Sequence, residues 1–454
     1  MRVGFCSLRI LCLVCCCLPL FLNSQDDKWT PEDIIHTELL QNPVFSPDKQ
    51  KVAWSKRRAV KEKDKFVSDL YISYLDDPSA THQLTRADEN ESNPVFSADS
   101  KSIYFLSSRD EGKKLWKLSL RGGEPEAVHE FKNGLSNISL LNDSTLLVTS
   151  NSGKSLYQTE LEDKKDNVVI VEDSIHWTID RLYAFNLKNK SLRRLTENTH
   201  PVRTYEASPD GRWLVYSLTM SPHYGVDGRP KPQHFLLDLT LGTTRQILET
   251  FQTPGNFQFT TDAAGFYFAA VNSSDPEWNG SGVHYIYYYD CTSHQYTQVP
   301  LNWEWACEGD FQVTGQDIIV ALANGATQKL RYFAKTGNSW AGSDLDLGEK
   351  NEHVNLMHLS KDGTKAVYEH STASQLPRYY TADLIKAGGN LQFTNETELA
   401  KLNSKLSKKS ITRSEIFKWK GYNGDEVDGI LYYPENYQAG KRYPLMLSIH
   451  GGPS

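Results

Sequence analysis

The feature that most constrains the fold is a short segment that the chain repeats almost unchanged. Residues 42–48 read NPVFSPD, and residues 93–99, which begin 51 positions later, read NPVFSAD. Self-similarity at a period of about 50 residues is typical of propellers and solenoids, in which one supersecondary unit is repeated many times. A chain of 454 residues then need not contain three separate domains of about 150 residues each.

Weaker copies of the segment continue toward the C-terminus. Seven copies are marked by the residue three positions before the aspartate, which is Thr314 in the sixth copy: Phe45, Phe96, Leu140, Ala207, Phe259, Phe311 and Leu359. A hydrophobic residue also lies twelve positions before every marked residue except the first, at Leu84, Val128, Leu195, Ile247, Val299 and Leu347. This fixed offset fits an outer strand that ends one blade and a crossing of constant length to the inner strand of the next. The sequence therefore predicts an all-β, seven-bladed β-propeller, with eight blades as the alternative count.

The repeated aspartates are interpreted as turn residues rather than as metal ligands. Residues 208–211 read SPDG, in which proline presets φ for a turn and glycine accepts a positive φ. Four histidines lack the spacing of metal ligands, namely His176, His223, His284 and His353. No metal site and no cofactor are expected. Two irregular stretches, an insertion at 163–180 and the Pro- and Gly-rich residues 221–232, could each line a substrate path or be merely decorative.

The N-terminal segment is typical of a secretory signal peptide. Arg2 and Arg9 precede an apolar stretch at 10–22, and a small residue lies at a plausible cleavage point near Ser24. Such an apolar stretch is too short to span a bilayer, so stable membrane insertion is not expected. The sequence predicts a secreted protein or one in the lumen of the secretory pathway or the periplasm. The net charge of −7 makes a nucleic-acid partner a poor expectation, and the oligomeric state stays open.

Disulfide formation and glycosylation both occur in the secretory route, so the remaining cysteines and the sequons become relevant. Five of the seven cysteines lie before residue 18, which leaves Cys291 and Cys307 either as a disulfide or as two free thiols. Asn-X-Ser/Thr sequons permit glycosylation in a eukaryotic host. They occur at Asn90, Asn137, Asn142, Asn189, Asn272, Asn279 and Asn395.

The pattern changes after the last repeat. Two strand-like runs at 416–419 and 429–433 flank a turn at 422–425, and residues 443–449 read as a buried strand. That strand leads into His450, Gly451 and Gly452, a loop of the kind whose backbone N–H groups stabilise an oxyanion in α/β-hydrolases. The predicted divisions are a signal peptide at 1–24, an N-terminal helix and arm at 25–41, the propeller at 42–394, a helix-like linker at 395–411 and the start of an α/β-hydrolase domain at 412–454.

This arrangement resembles the prolyl oligopeptidase family of serine peptidases, and within it the acylaminoacyl-peptidase and dipeptidyl-peptidase 5-like branch. The specific residues are Trp419, Lys420, Gly421, Gly424, Asp425, Gly429, Ile430, Leu431, Pro434, Lys441, Arg442, Tyr443, Pro444 and His450 to Pro453. The resemblance implies a serine nucleophile, an aspartate and a histidine beyond Ser454, and a propeller that caps the active site and admits short or unfolded peptides. It makes Gly451 and Gly452 backbone contributors to the oxyanion loop and His450 a residue that shapes it. The covered chain by itself is expected to be inactive.

One departure leaves the cleavage register open. The dipeptidyl peptidase IV branch anchors a free amino terminus with paired glutamates, whereas Glu206 stands alone beside Tyr205 and Ala207. Release of acylamino acids, release of dipeptides and cleavage of oligopeptides therefore remain alternatives. A non-catalytic propeller that binds peptides or proteins is the alternative function.

Overall fold

The computed structural model describes residues 28–77, 80–110, 112–166, 177–273, 282–305 and 307–449. The predicted signal peptide at 1–24 lies outside these residues. The described chain forms seven four-stranded antiparallel sheets followed by a two-stranded hairpin. The fifth and sixth sheets touch through one residue pair, His284 with Cys307, and are otherwise separate blades.

The strands of each blade follow one another in the sequence. Blade one contains β1 (Leu40–Phe45), β2 (Lys51–Val60), β3 (Lys65–Tyr74) and β4 (Thr81–Gln83). Blade two contains β5 (Glu91–Phe96), β6 (Ser102–Ser107), β7 (Lys114–Ser119) and β8 (Glu126–His129). Blade three contains β9 (Asn137–Asn142), β10 (Thr145–Asn151), β11 (Asp180–Asn186) and β12 (Leu192–Arg194). Blade four contains β13 (Val202–Ala207), β14 (Trp213–Leu218), β15 (Gln233–Asp238) and β16 (Thr243–Ile247).

The remaining blades have the same order. Blade five contains β17 (Gly255–Phe259), β18 (Gly265–Asn272), β19 (Val283–Asp290) and β20 (Tyr296–Gln298). Blade six contains β21 (Cys307–Thr314), β22 (Asp317–Asn324), β23 (Thr327–Thr336) and β24 (Ser339–Asp344). Blade seven contains β25 (Val354–Leu359), β26 (Lys365–Thr372), β27 (Gln375–Ala387) and β28 (Asn390–Ala400). The hairpin consists of β29 (Ser414–Lys420) and β30 (Glu426–Tyr432).

The helices are short. They are α1 (Pro31–Ile35), α2 (Leu156–Asp163) and α3 (Tyr224–Asp227), with 3₁₀ turns at Lys61–Lys63, Gly348–Lys350 and Leu406–Lys408. Helix α1 begins as its sequence predicts, because Thr30 caps it and forms a reciprocal capping box with Asp33.

Seven hydrophobic clusters close the blades into a ring. Each cluster joins the facing sides of two consecutive blades, for example Phe105 of blade two with Ile72 of blade one. The last cluster joins blade seven to blade one, where Trp54 and Leu40 pack with Tyr379 and Leu399. A closed circle of apolar contacts with seven members confirms the propeller prediction and fixes the count at seven.

The sequence repeat corresponds to the innermost strand of each blade. All seven marked residues, from Phe45 to Leu359, lie in the first strand of a blade. The aspartate that follows closes the next turn: in blade one, Asp48 accepts hydrogen bonds from the Ser46 hydroxyl and from the Gln50 N–H. Asp99 repeats the same contacts in blade two. The repeated aspartates are therefore turn residues, as the sequence predicts.

The ring closes without exchanging a strand between its ends. At the seam between blades one and seven, the N–H of Glu38 donates to Asn403 Oδ1 at 2.7 Å, and the N–H of Asn403 donates to Glu38 Oε2 at 2.8 Å. Asn403 Nδ2 also donates to the Glu38 carbonyl at 2.9 Å, and Lys56 pairs with the same carboxylate. Side chains and apolar packing thus hold the seam, and no sheet ladder crosses it.

Two predicted elements differ from the structure. Residues 395–400 belong to β28 rather than to a helix-like linker, because Leu399 and Ala400 are buried against blade one. Residues 443–449 form no strand, and Leu445 and Met446 are 80% and 93% exposed. The prediction of a buried strand is wrong for the described chain, since no described strand lies beside this segment and an isolated strand is not stable in water.

The alternative of a Cys291–Cys307 disulfide is also wrong. Both residues are buried thiols that are not bonded to each other. Cys307 lies opposite His284 at the start of β19, whereas Cys291 follows the last residue of that strand. Seven residues of strand separate them by about 20 Å, and a disulfide requires Cα atoms within about 7 Å.

Helices long and apolar enough to cross a bilayer do not occur in the part of the chain that the structure describes.

Candidate functional site

The propeller has two different faces because each blade is an antiparallel meander. The loops between the first and second strands, and between the third and fourth, lie on one face. The loops between the second and third strands lie on the other. The hairpin β29–β30 contacts the loops β22–β23 and β26–β27, so we call this second face the hairpin face.

Two hydrogen bonds hold the hairpin on blades six and seven. Asp428 Oδ2 accepts from the backbone N–H of Ala326 at 2.9 Å. The hydroxyls of Ser374 and Ser414 lie 2.6 Å apart. Gly325 makes the first contact possible, because a Cβ on it would overlap the Asp428 carboxylate. The hairpin is therefore fixed at one edge of the hairpin face.

Both irregular stretches noted in the sequence lie on this face. In blade three, the segment between β10 and β11 contains α2, which begins with a capping box of Ser155 and Gln158 and leads into the predicted insertion at 163–180. Residues 167–176 of that insertion lie outside the described residues. The Pro- and Gly-rich stretch of blade four lies between β14 and β15 and contains α3. Their apolar tips are uncovered in the described chain, since Leu156 is 86% and Val226 is 89% exposed. The hairpin and the two insertions thus stand around the same opening of the ring.

Glu206 lies on β13, the innermost strand of blade four. Its side chain reaches solvent, yet protein surrounds it, and this desolvation raises the pKa of its carboxyl to about 7. Within the described residues, neither a hydrogen bond nor an ion pair reaches the carboxyl. The neighbouring Tyr205 points the other way, into the core between blades three and four. Glu206 is a lone acid, as the sequence indicates, that exchanges its proton near neutral pH.

The predicted oxyanion loop follows the last residue that the structure describes. His450, Gly451 and Gly452 lie outside the described residues. Their role in an oxyanion loop therefore stays a prediction.

Histidines form no metal centre in the described ranges, where no group of three or more histidine, cysteine, aspartate or glutamate side chains could hold an ion. His353 contacts the ring of His370 at a centroid distance of 6.4 Å. His223 precedes α3, and His284 pairs across the strand with Cys307. His176 lies outside the described residues.

Two further histidines that the sequence analysis did not single out have lowered pKa values. His234 is 3% exposed and its Nε2 lies 3.1 Å from the Pro254 carbonyl, and burial lowers its pKa to about 4. His358 stacks on Phe45, and burial lowers its pKa to about 4 as well. The local sequence does not reveal such a lowered pKa, because the pKa depends on which side chains of the adjacent blade pack over the imidazole ring.

Five of the seven sequons have an exposed asparagine. They are Asn90, Asn142, Asn189, Asn272 and Asn395. Asn137 is half-buried and accepts a hydrogen bond from Asn93, and Asn279 lies outside the described residues. The exposure of these five asparagines permits their glycosylation.

Comparison with known proteins finds relatives that are named as peptidases. No model of a known protein family matches the chain. The uncharacterized peptidase YuxL of Bacillus subtilis is 22% identical over 455 aligned positions, which cover 93% of this chain and 66% of that protein. Dipeptidyl-peptidase 5 of Porphyromonas gingivalis is 30% identical over 107 positions, or 23% of this chain and 15% of that protein. The chain thus spans about two thirds or less of these relatives' own length.

A solved structure agrees in fold. The acylaminoacyl peptidase of Pyrococcus horikoshii superposes with a TM-score of 0.64 at 16% identity, over 92% of this chain and 61% of that one. The chain is therefore similar in sequence to proteins named as peptidases and in fold to an acylaminoacyl peptidase. The resemblance inferred from the propeller and the segment after it is therefore confirmed. The similarity concerns the fold and assigns no catalytic or binding role to any residue of this chain.

Proposed function

We propose that the protein containing this chain is a serine peptidase that hydrolyses short peptides, of the acylaminoacyl- or dipeptidyl-peptidase type. The observation that carries the proposal is the order of parts. A complete ring of seven blades is followed by a hairpin docked on one face and then by the HGGP segment. A relative named as a peptidase aligns with 93% of this chain.

In this proposal the chemistry belongs to sequence that follows Ser454 in the whole protein. A serine would attack the peptide carbonyl, a histidine would take and return the proton, and an aspartate would orient that histidine. The N–H groups of Gly451 and Gly452 would bind the oxyanion, with His450 shaping the loop. The propeller would cover this centre on its hairpin face and limit access to short or unfolded chains.

Labelling by a fluorophosphonate probe tests the proposal. The full-length protein should be labelled at one serine and should release chromophore from N-acylaminoacyl or dipeptidyl substrates. Pretreatment with a serine-directed inhibitor should abolish both signals. Absence of labelling in folded full-length protein would exclude the peptidase and leave the non-catalytic propeller that binds peptides.

The chain of 454 residues alone should not label, because oxyanion donors without a nucleophile lack the attacking atom. Labelling of this chain by the same probe would contradict the assignment of the nucleophile to later sequence.

We also propose that the protein enters the secretory pathway or the periplasm. The charged and apolar segment at 1–24 and the five exposed sequons support this route. N-terminal sequencing of protein recovered from the medium or lumen should begin near Gln25. Recovery of cytosolic protein that retains Met1 would contradict the proposal.

A further inference from the structure

A cavity of about 440 Å³ lies between blades four and five, away from the central axis of the ring. Its walls are β14 to β16 of blade four and the turn between β19 and β20 of blade five. The turns that border it join first to second strands and third to fourth strands, so it opens on the face opposite the hairpin face. Its volume is within the range of about 300–1,000 Å³ that ligand sites occupy.

One guanidinium group at the cavity is held in place by a buried carboxylate. Arg212 Nη2 and Nε donate to Asp238 Oδ2 at 3.1 and 3.2 Å, and Arg212 Cζ lies 4.5 Å from the centre of the Trp213 ring. Asp238 is 3% exposed, and its Oδ1 accepts from the N–H groups of Thr240 and Leu241. The charges of Arg212 and Asp238 therefore offset each other in the lining.

A second guanidinium group, that of Arg245, lies on the same side of blade four. Arg245 is opposite Leu236 in the pairing of β15 with β16, and Leu236 packs in the core between blades four and five. Because residues paired across two strands share a face of the sheet, Arg245 projects toward blade five. Within the residues that the structure describes, Arg245 has neither an ion pair nor a hydrogen bond from its side chain.

The opposite wall contributes no charge that would neutralise Arg245. Burial and the nearby Arg245 guanidinium lower the pKa of His294 in the turn of blade five, so this imidazole is uncharged at neutral pH. Asp238 is the single carboxylate among the described residues that line the cavity, and it is paired with Arg212. The lining therefore holds two guanidinium groups and one carboxylate, which leaves a net charge of +1.

The rest of the lining combines hydroxyl groups with an apolar floor. Thr243 and Thr292 line the cavity from blades four and five, and neither hydroxyl has a hydrogen-bond partner in the described part of the chain. Leu236 and the thiol of Cys291 form the floor, and both are almost fully buried. Leu241 lies at the mouth and is 70% exposed. An apolar group in the cavity would remove this leucine from water, which is favourable.

We propose that this cavity binds an organic monocarboxylate with an apolar body. The carboxylate pairs with Arg245, and the apolar body contacts Leu236 and Leu241. A guanidinium group matches a carboxylate through two parallel hydrogen bonds. One carboxylate cancels the net charge of the lining, whereas a phosphate ester would bring a second negative charge close to Asp238 without a cation to balance it. The site goes beyond the proposed peptidase function and does not depend on it, because it lies on the face opposite the hairpin.

The test uses full-length protein treated with a serine-directed inhibitor, so that the proposed catalytic centre is blocked. The probes are hydrocinnamate, hydrocinnamamide and phenethyl phosphate, which share one apolar body and differ in the polar group, with binding measured by calorimetry. We expect hydrocinnamate to bind about tenfold tighter than the amide, and tighter than the phosphate. Arg245→Gln should weaken the binding of hydrocinnamate about tenfold, the effect of a lost charged hydrogen-bond donor, and should leave the amide unaffected. Arg245→Lys should keep part of the affinity, because it retains the charge without the paired donors.

The matched control is Arg193→Gln, which removes an exposed arginine from β12, the outermost strand of blade three, and should leave all affinities unchanged. Thermal unfolding of each variant shows whether the fold is retained. Unchanged affinity of folded Arg245→Gln protein for hydrocinnamate would overturn the proposal, as would equal binding of the acid and its amide. Tighter binding of phenethyl phosphate than of hydrocinnamate would overturn the assignment of a carboxylate ligand.

Discussion

Asp428 of the hairpin accepts a hydrogen bond from the N–H of Ala326 in blade six, at 2.9 Å and across 102 residues of sequence. The loop that offers this N–H turns at Gly325, whose φ of +63° is in the left-handed region. A charged acceptor on a fixed backbone donor is among the stronger kinds of hydrogen bond in proteins. The orientation of the hairpin on the propeller therefore depends on a glycine and a carboxylate that are far apart in the chain.

Replacing Asp428 by alanine should loosen the hairpin without unfolding the ring. The Ala326 amide would lose an acceptor worth about 1.5 kcal/mol, and its hydrogen exchange should accelerate by about tenfold. Asp425→Ala, in the exposed hairpin turn, is the control and should leave that amide protected. Equal protection in both variants would show that the contact does not hold the hairpin.

The Glu38–Asn403 contact should determine how firmly the ring is closed. Asn403 has a φ of +57°, so Asn403→Gly removes the side chain and keeps the backbone conformation. Two side-chain hydrogen bonds are lost at a buried position, and we expect the free energy of unfolding to fall by about 2 kcal/mol. Chemical denaturation measures this. The neighbouring exposed substitution Ser404→Ala should have no measurable effect, and a similar loss in both variants would contradict the assignment.

Glu206→Gln should change stability only above about pH 4.5. The folded protein raises the pKa of this carboxyl from 4.5 to about 7, so the folded state holds the proton more tightly between those values. The stability that the protonated carboxyl contributes is present below about pH 4.5 and is lost as the pH rises through 7. The glutamine variant should match the wild type at about pH 4.5 and exceed it at about pH 8. The gain should stay below about 1 kcal/mol because the carboxyl reaches solvent.

Denaturant midpoints at the two pH values provide the check for Glu206. Glu126→Gln, on the exposed edge of blade two, should show no difference between them. A Glu206→Gln variant that is less stable than the wild type at about pH 8 would mean that the charged carboxylate has a partner.

His234 should make blade four sensitive to acid. Burial lowers its pKa from 6.5 to about 4, so the unfolded chain binds a proton that the folded chain does not accept. The stability this gives is present above about pH 6.5 and is lost as the pH falls toward 4, by up to about 1.4 kcal/mol per pH unit. His234→Gln should reduce the fall in stability between about pH 7 and 5. His82→Gln, on an exposed strand, should leave that fall unchanged.

Much of the propeller could be predicted from sequence because its signals are local. In six of the seven blades an aspartate lies three residues after the marked position, at the turn that follows the inner strand, and the crossing between blades has a constant length. Phe45 and Phe96 could therefore be placed on equivalent strands from spacing alone. The marked residues also fill the space between blades, so hydrophobicity and repeat coincide.

The parts that could not be predicted depend on contacts between distant segments. Leu399 and Ala400 read as part of a polar linker, yet they bury against blade one, which only ring closure brings close. Cys291 and Cys307 are 16 positions apart in sequence but lie at opposite ends of β19. Nothing in the local pattern at Asp428 indicates that its carboxylate meets Ala326. The residues that line the cavity between blades four and five are likewise far apart in the sequence.

Because side chains close the ring, the number of repeats in such a chain can change without breaking any sheet. Every sheet is completed by neighbouring strands of the same repeat, so no blade borrows a partner from the other terminus. Deletion of one whole repeat would leave the other six sheets intact, and duplication would leave all seven intact. The ring would then only have to widen or tighten around its axis, and its aperture would become a property set by the number of repeats.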